Sequence, residues 1–184
     1  MKKSIFALVL ALVLCLSTCA LAETAVFPFS VEEFVECYKA ENEGVVVTEE
    51  QGAVVLECAE GAPVRVTYDM DGMCTGQYGQ VKVSLSDSSE ASSAGEKLGF
   101  SASAMMYATR LIELNYDDAA VFEEISAMMD GFVSLFTSFT DEDYENCITA
   151  PVSHEQEICG HTAVVTFSFD LLEMALVMDY AYLP

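Results

Sequence analysis

The segment DAAVFEEISAMMDGFVSLF, Asp118 to Phe136, constrains this chain more than any other. Val121, Phe122, Ile125, Met128, Met129, Phe132, Val133 and Phe136 recur at three- and four-residue steps, which aligns them along one side of a helix. Glu123, Glu124, Ser126 and Asp130 fall mostly on the other side. Asp117 or Asp118 fits the start, where free N–H groups and the positive end of the helix dipole favour a carboxylate. So wide an apolar stripe needs a broad floor, and alternating segments on both sides supply one. The predicted class is therefore α+β. An antiparallel sheet of hairpins and meanders carries three helices mainly on one face, as one sheet or as two helix-plus-strands units.

The first helix has its own start signal. Ser30 is the predicted N-cap, Glu33 the capping-box partner, and Phe29 with Phe34 a hydrophobic staple. Val31, Phe34, Val35 and Tyr38 form its inner face, and it should stop near Asn42 to Gly44. Strands follow at Val45–Thr48, at Val54, Leu56 and Cys58, and at Val64, Val66, Tyr68 and Met70. Asp71-Gly72 reads as a hairpin turn into a strand carrying Val81, Val83 and Leu85, with Gly76 and Gly79 marking an irregular start. Asp87 to Gly99, rich in Ser, Ala, Gly and acid, reads as a surface loop and internal boundary. A second helix is expected over Ser101 to Asn115, with Met105, Ala108, Thr109 and Ile112 inward. After an acidic exit at Thr140 to Asn146, strands are expected at Glu155–Cys159 and around Val165, Phe167 and Phe169. Leu171 to Tyr182 fits a closing strand better than a helix, because the preceding strand needs a neighbour.

The chain opens like an export signal. Lys2 and Lys3 precede an apolar run from Ile5 to Leu16, and Ala20-Leu21-Ala22 is a small-x-small cleavage site. Residues 1–22 are thus read as a signal peptide and 23–184 as one domain, secreted or held in the cell envelope, with no stable membrane span after cleavage. Leu16-Ser17-Thr18-Cys19 resembles a bacterial lipobox, which would make Cys19 a lipidated residue; Thr18 stands where that pattern has Gly, Ala or Ser. A retained anchor is the remaining alternative. Lys and Arg number 7 against 30 Asp and Glu, a net charge of −23. That balance argues against nucleic acid and anionic membranes as partners. It fits solubility outside the cytoplasm, weak binding of divalent cations, or a cationic partner.

Residues with chemistry are few. Cys159-Gly160-His161, with His154 upstream, brings a thiol and an imidazole close in sequence, the pair that thiol catalysis or a zinc site would use. Asp69-Met70-Asp71-Gly72 looks like the opening of a calcium loop but lacks its later ligands, so a hairpin turn explains it better. Asp141, Asp143 and Glu145 make a weak cation patch. Cys37, Cys58, Cys74, Cys147 and Cys159 follow the signal, and export would permit disulfides. Cys147–Cys159 and Cys37–Cys58 are the favoured pairs, with buried thiols as the alternative.

No nucleophile elbow, phosphate loop, dinucleotide fingerprint or HExxH motif is present, and nothing implies a cofactor. The expected function is a secreted, non-enzymatic binding domain for an unidentified protein or peptide. Its ligand would meet the open sheet face or the loops at Asp71 and Asp87–Gly99. The alternatives are an extracytoplasmic hydrolase or thiol enzyme using the Cys–His pair, and a structural envelope protein without a discrete site.

Overall fold

Asp118–Thr137 is a helix, and the Asp117 side chain accepts the N–H of Ala120 at its start. Its floor is a seven-stranded antiparallel sheet. The computed structural model describes residues 25–84 and 89–184. The segment read as an export signal, Cys19 and residues 85–88 lie outside the described residues. In chain order the elements are α1 (Val31–Glu41), β1 (Val46–Glu50), β2 (Ala53–Glu57), β3 (Val64–Tyr68) and β4 (Cys74–Ser84). Then come α2 (Ser89–Glu113), α3 (Asp118–Thr137), α4 (Asp141–Asn146), β5 (Val152–Ile158), β6 (His161–Asp170) and β7 (Ala175–Leu183).

The sheet order is β1-β2-β3-β4-β7-β6-β5. Two meanders therefore meet in the middle, where β4 and β7 pair from Gln77–Tyr182 to Ser84–Ala175. The period-two pattern sets which face is buried. Val64 and Val66, Val81 and Val83, Val165 and Phe167, Met178 and Tyr180 all point to the helix side and are buried. Leu171 to Tyr182 enters by a turn and becomes strand β7, because β4 and β6 both need it as a hydrogen-bonding neighbour. The expected irregularity in β4 falls at Thr75. Thr67 pairs with Gly76 and Tyr68 with Cys74, so one residue is left over. Gly76 beside it leaves room for the Tyr78 ring, which a Cβ there would push aside, since it would stand 2.5 Å from the Tyr78 hydroxyl oxygen.

The first helix has the predicted cap and staple but only half of the capping box, since no bond returns from the Glu33 carboxylate to the Ser30 N–H among the described residues. The Ser30 hydroxyl accepts the Glu33 N–H at 3.1 Å, and the Phe29 and Phe34 rings stack with centroids 6.1 Å apart. Helix α2 corrects the sequence reading. Ser89 to Gly99 is helical rather than loop, so α2 is 25 residues long. Ala94, Leu98, Ser101, Ala102, Met105, Ala108, Thr109 and Ile112 are buried at helical spacing along it. This packing overrides the weak helix preference of Ser and Gly. A short fourth helix, α4, occupies the acidic exit and is closed by a Thr140–Asp143 capping box.

Helix α3 departs from its predicted burial in an informative way. Val121, Met128, Phe132 and Leu135 are buried against β5 and β6. Phe122, Met129 and Val133 remain 71%, 40% and 53% exposed. The stripe is wider than its seat.

Candidate functional site

Cys159 and Gly160 form the two-residue loop between β5 and β6, closed by the Ile158–His161 pair. Both have positive φ, 52° and 84°, the sign pattern of a type I′ turn that matches strand twist. A cysteine in this conformation is strained, since the left-handed region suits Gly, Asn or Asp. Asn115 and Tyr116, in the α2–α3 turn, also have positive φ. A hollow of about 540 Å³ lies here, lined among others by Phe29, Glu33, Arg110, Glu113, Asn115, Cys159 and His161. Strained backbone around a concave, charged spot is a common mark of function.

The His161 Nε2 lies 2.7 Å from Glu113 Oε1. Arg110 donates to Glu113 Oε2 at 2.6 Å and to both oxygens of Glu124 at 3.0 Å. Burial alone would raise the Glu113 carboxyl, but the hydrogen bonds from His161 and Arg110 outweigh it and hold the carboxyl below its usual range. The Phe27 ring (centroid 4.9 Å away) and the Tyr182 ring (5.2 Å) pack on His161. The His161 Nδ1 is buried and has no hydrogen-bond partner among the described residues.

These bonds leave little for catalysis. Glu113 occupies one imidazole nitrogen and protein buries the other, so His161 has no free edge with which to take a substrate proton. No hydrogen bond joins Cys159 Sγ to His161 among the described residues. Burial pushes the Cys159 thiol up, against the pull of Arg110, so it stays protonated rather than becoming a thiolate. The group is a charged clamp that ties α2, α3 and β6 together at the strained turns. Sequence reasoning missed Arg110, Glu113 and Glu124. Their signal was the i,i+3 spacing of Arg110 and Glu113 in a chain with very few basic residues.

The other predicted residues lie elsewhere. His154 is four residues from Ile158 along β5, roughly 13 Å at strand rise. Its Nδ1 meets Ser138 Oγ at 2.6 Å, and its ring stacks on Phe139 at 4.1 Å. Asp143 accepts from the Thr140 N–H and hydroxyl, and the first of these contributes most to keeping its carboxyl below the usual range. Asp141 and Glu145 are exposed and do not converge on it. No group of three His, Cys, Asp or Glu side chains able to hold a metal occurs among the described residues. Asp69 closes its hairpin, accepting the N–H groups of Asp71 and Met73.

Cys37, Cys58, Cys74, Cys147 and Cys159 are free thiols, so neither favoured disulfide is formed. Cys147 ends α4 before β5, and Cys159 follows β5 at its far end. A seven-residue extended strand holds the two roughly 20 Å apart. The Cys37 thiol is turned toward the carbonyl of Ala108, 3.7 Å away on α2. Burial raises Cys37 to about 11 and Cys74 to about 12, the behaviour of small core hydrophobes.

Two further surfaces are concave. On the helix side, a cleft of about 370 Å³ opens between the end of α1, the middle of α2 and α3. Phe100, Ala104, Met106, Tyr107, Ile125, Met128 and Met129 line it, with Glu41, Asn42 and Ser103. It shares Glu41, Asn42 and Phe100 with an adjoining hollow of about 560 Å³ that also holds Glu43, Cys58 and Glu60. The uncovered sheet face carries a hollow of about 510 Å³ over β2, β3, β4, β7 and β6. Val55, Tyr78, Val164 and Ala181 contribute its apolar part, and Arg65, Gln80, Thr166 and Asp179 its polar part. Comparison with protein-family models, with curated proteins and with solved structures gives no match in any of the three.

Proposed function

We propose that this chain is an extracytoplasmic, non-catalytic binding domain that seats an apolar segment of a partner in the cleft between α1, α2 and α3. The observation that carries this reading is the surplus apolar flank of α3. Phe122, Ile125, Met129 and Val133 follow one another at helical spacing, and Ile125 and Met129 turn into the cleft. Burying an exposed side chain of this size is worth about 1.5–3 kcal/mol, so three or four such residues outweigh much of the ordering cost of association. Methionine linings are flexible and polarisable, which suits partners of varied shape. The leader segment at Lys2 to Ala22 supports a place outside the cytoplasm.

The test is a panel of fluorescently labelled amphipathic helical peptides titrated against the purified chain by anisotropy. Wild type should bind members of the panel, and the Phe122→Ser/Val133→Ser double variant should bind them about tenfold more weakly, since each lost apolar contact costs about 1 kcal/mol or more. Equal binding by both proteins would overturn the reading.

A second reading uses the uncovered sheet face, where the hollow at Tyr78 and Val164 offers an apolar patch. Its polar groups are already engaged: Gln80 donates to Asp179 at 2.6 Å and Arg65 to Glu50 at 3.2 Å. Tyr78→Ser with Val164→Ser should therefore leave peptide binding unchanged. Loss of binding there would move the site to the sheet.

A further inference from the structure

Resting on that reading of the cleft, we infer that its occupant is a cationic amphipathic helix, with its apolar face on the α3 flank and its basic residues at Glu41, Glu43 and Glu60. Three observations converge on this chemistry. The first is shape. Phe122 and Val133 lie eleven positions apart on α3, about 16 Å of apolar ridge, which matches three turns of an added helix. An extended strand would need a free sheet edge, and this surface is made of helices.

The second is charge. The apolar cleft runs without a break into the hollow that holds Glu41, Glu43 and Glu60, through their shared Glu41, Asn42 and Phe100. No salt bridge engages any of these three carboxylates among the described residues. Glu123 and Asp130, on the outer side of α3, are exposed as well. The nearest cation along α2 is Lys97, about one turn before Phe100; it is exposed and makes no salt bridge to these carboxylates, and Arg110, further along, is bound to Glu113 and Glu124. The groove therefore presents an apolar floor with an excess of carboxylates, none of them in a salt bridge, at one end and along one side.

The third is exclusion. The whole chain carries −23, so a second copy would bring the same acidic rim against this one, and like charges across an interface oppose docking. An anionic lipid surface is repelled for the same reason. A helix with lysines or arginines beside a leucine-rich face satisfies both parts of the groove at once.

The experiment compares three labelled peptides of equal length and apolar face, with Lys, Gln or Glu at the polar positions. Each is titrated by anisotropy against the purified chain, against Glu41→Gln/Glu43→Gln/Glu60→Gln and against Phe122→Ser/Val133→Ser. Circular dichroism checks that each variant is folded. The Lys peptide should bind tightest, and its affinity should fall at least about tenfold between 50 and 500 mM NaCl as the charges are screened. The triple Gln variant should weaken the Lys peptide about five- to tenfold while changing the Gln peptide less than about twofold. Equal, salt-independent binding of the Lys and Gln peptides, lost in the Phe122/Val133 variant, would overturn the cationic assignment and leave the cleft reading standing. Tightest binding of the Glu peptide would also overturn it. Binding of no peptide, or binding unaffected by the Phe122/Val133 changes, would overturn the cleft reading and this inference together.

Discussion

The methionine cleft and the charged clamp lie one after the other along α2, the first against Phe100 to Tyr107 and the second against Arg110 to Asn115. They differ in what is left unbonded. At the clamp, Arg110 meets two carboxylates, Glu113 meets Arg110 and His161, and aromatic rings cover the imidazole. At the cleft, apolar side chains stand in solvent and three carboxylates are in no salt bridge among the described residues. Reactive residue types whose charges are met inside the fold hold it together. Ordinary residues whose needs are unmet inside it offer themselves to a partner.

The contrast can be broken first within α3. Phe132 stands edge-on to Tyr180 at 5.6 Å and is buried, so Phe132→Ala should cost about 3–4 kcal/mol by urea unfolding. A loss near zero would mean that α3 has no fixed seat. Next in size is Arg110→Met, which takes the guanidinium from Glu113 and Glu124 and leaves Glu113 only its bond to His161, where the Arg110 side chain is 17% exposed. It should cost about 2–3 kcal/mol. A neutral result would remove the clamp from the structural account and return it to the list of candidate binding sites.

The clamp also has a pH signature. The folded Glu113 carboxyl lies below its unfolded value, so its contribution is full above the unfolded pKa of about 4.3. It is lost as pH falls through the lower folded value. Glu113→Gln should therefore flatten the fall in melting temperature below about pH 4.5, because the substituted group no longer titrates. An unchanged acid limb would show that the clamp does not carry this linkage. Smaller again is Cys159→Gly. It relieves a positive φ and should raise stability by about 0.5 kcal/mol, since a side chain in the left-handed region costs about 1–2 and glycine's freedom in the unfolded chain takes part of that back. The smallest effect belongs to the exposed flank of α3 beside the cleft. Phe122→Ser with Val133→Ser should change stability by less than about 0.5 kcal/mol while abolishing most peptide binding.

Much of the architecture was legible because its signals are local. Ser30, Phe29 and Phe34 announced the start of α1, Asp117 that of α3, and the alternation in Val165, Phe167 and Met178 the sheet. Helix α2 before Gly99 was not legible: Ser and Gly prefer turns, which masks the helix preference of Ala, and burial of Ala94 and Leu98 decides for the helix. The width of α3's buried stripe was overread, because periodicity marks Phe122, Met129 and Val133 as one side of a helix but does not say how much floor that side has. The clamp escaped notice because Glu113 and His161 are 48 residues apart and meet only through the fold. Cys159 and His161 attracted attention by type and spacing, yet spacing does not reveal whether an imidazole edge is already taken.

The most direct measurement is a methyl NMR titration of the chain carrying 13C-methyl methionine, with the unlabelled Lys-type peptide as titrant. The account predicts shift changes at Met106, Met128 and Met129, which line the cleft, and none at Met70 and Met174, which stand exposed in the turns after β3 and before β7. Shifts confined to Met70 or Met174, or a bound peptide that leaves Met129 unmoved, would contradict it.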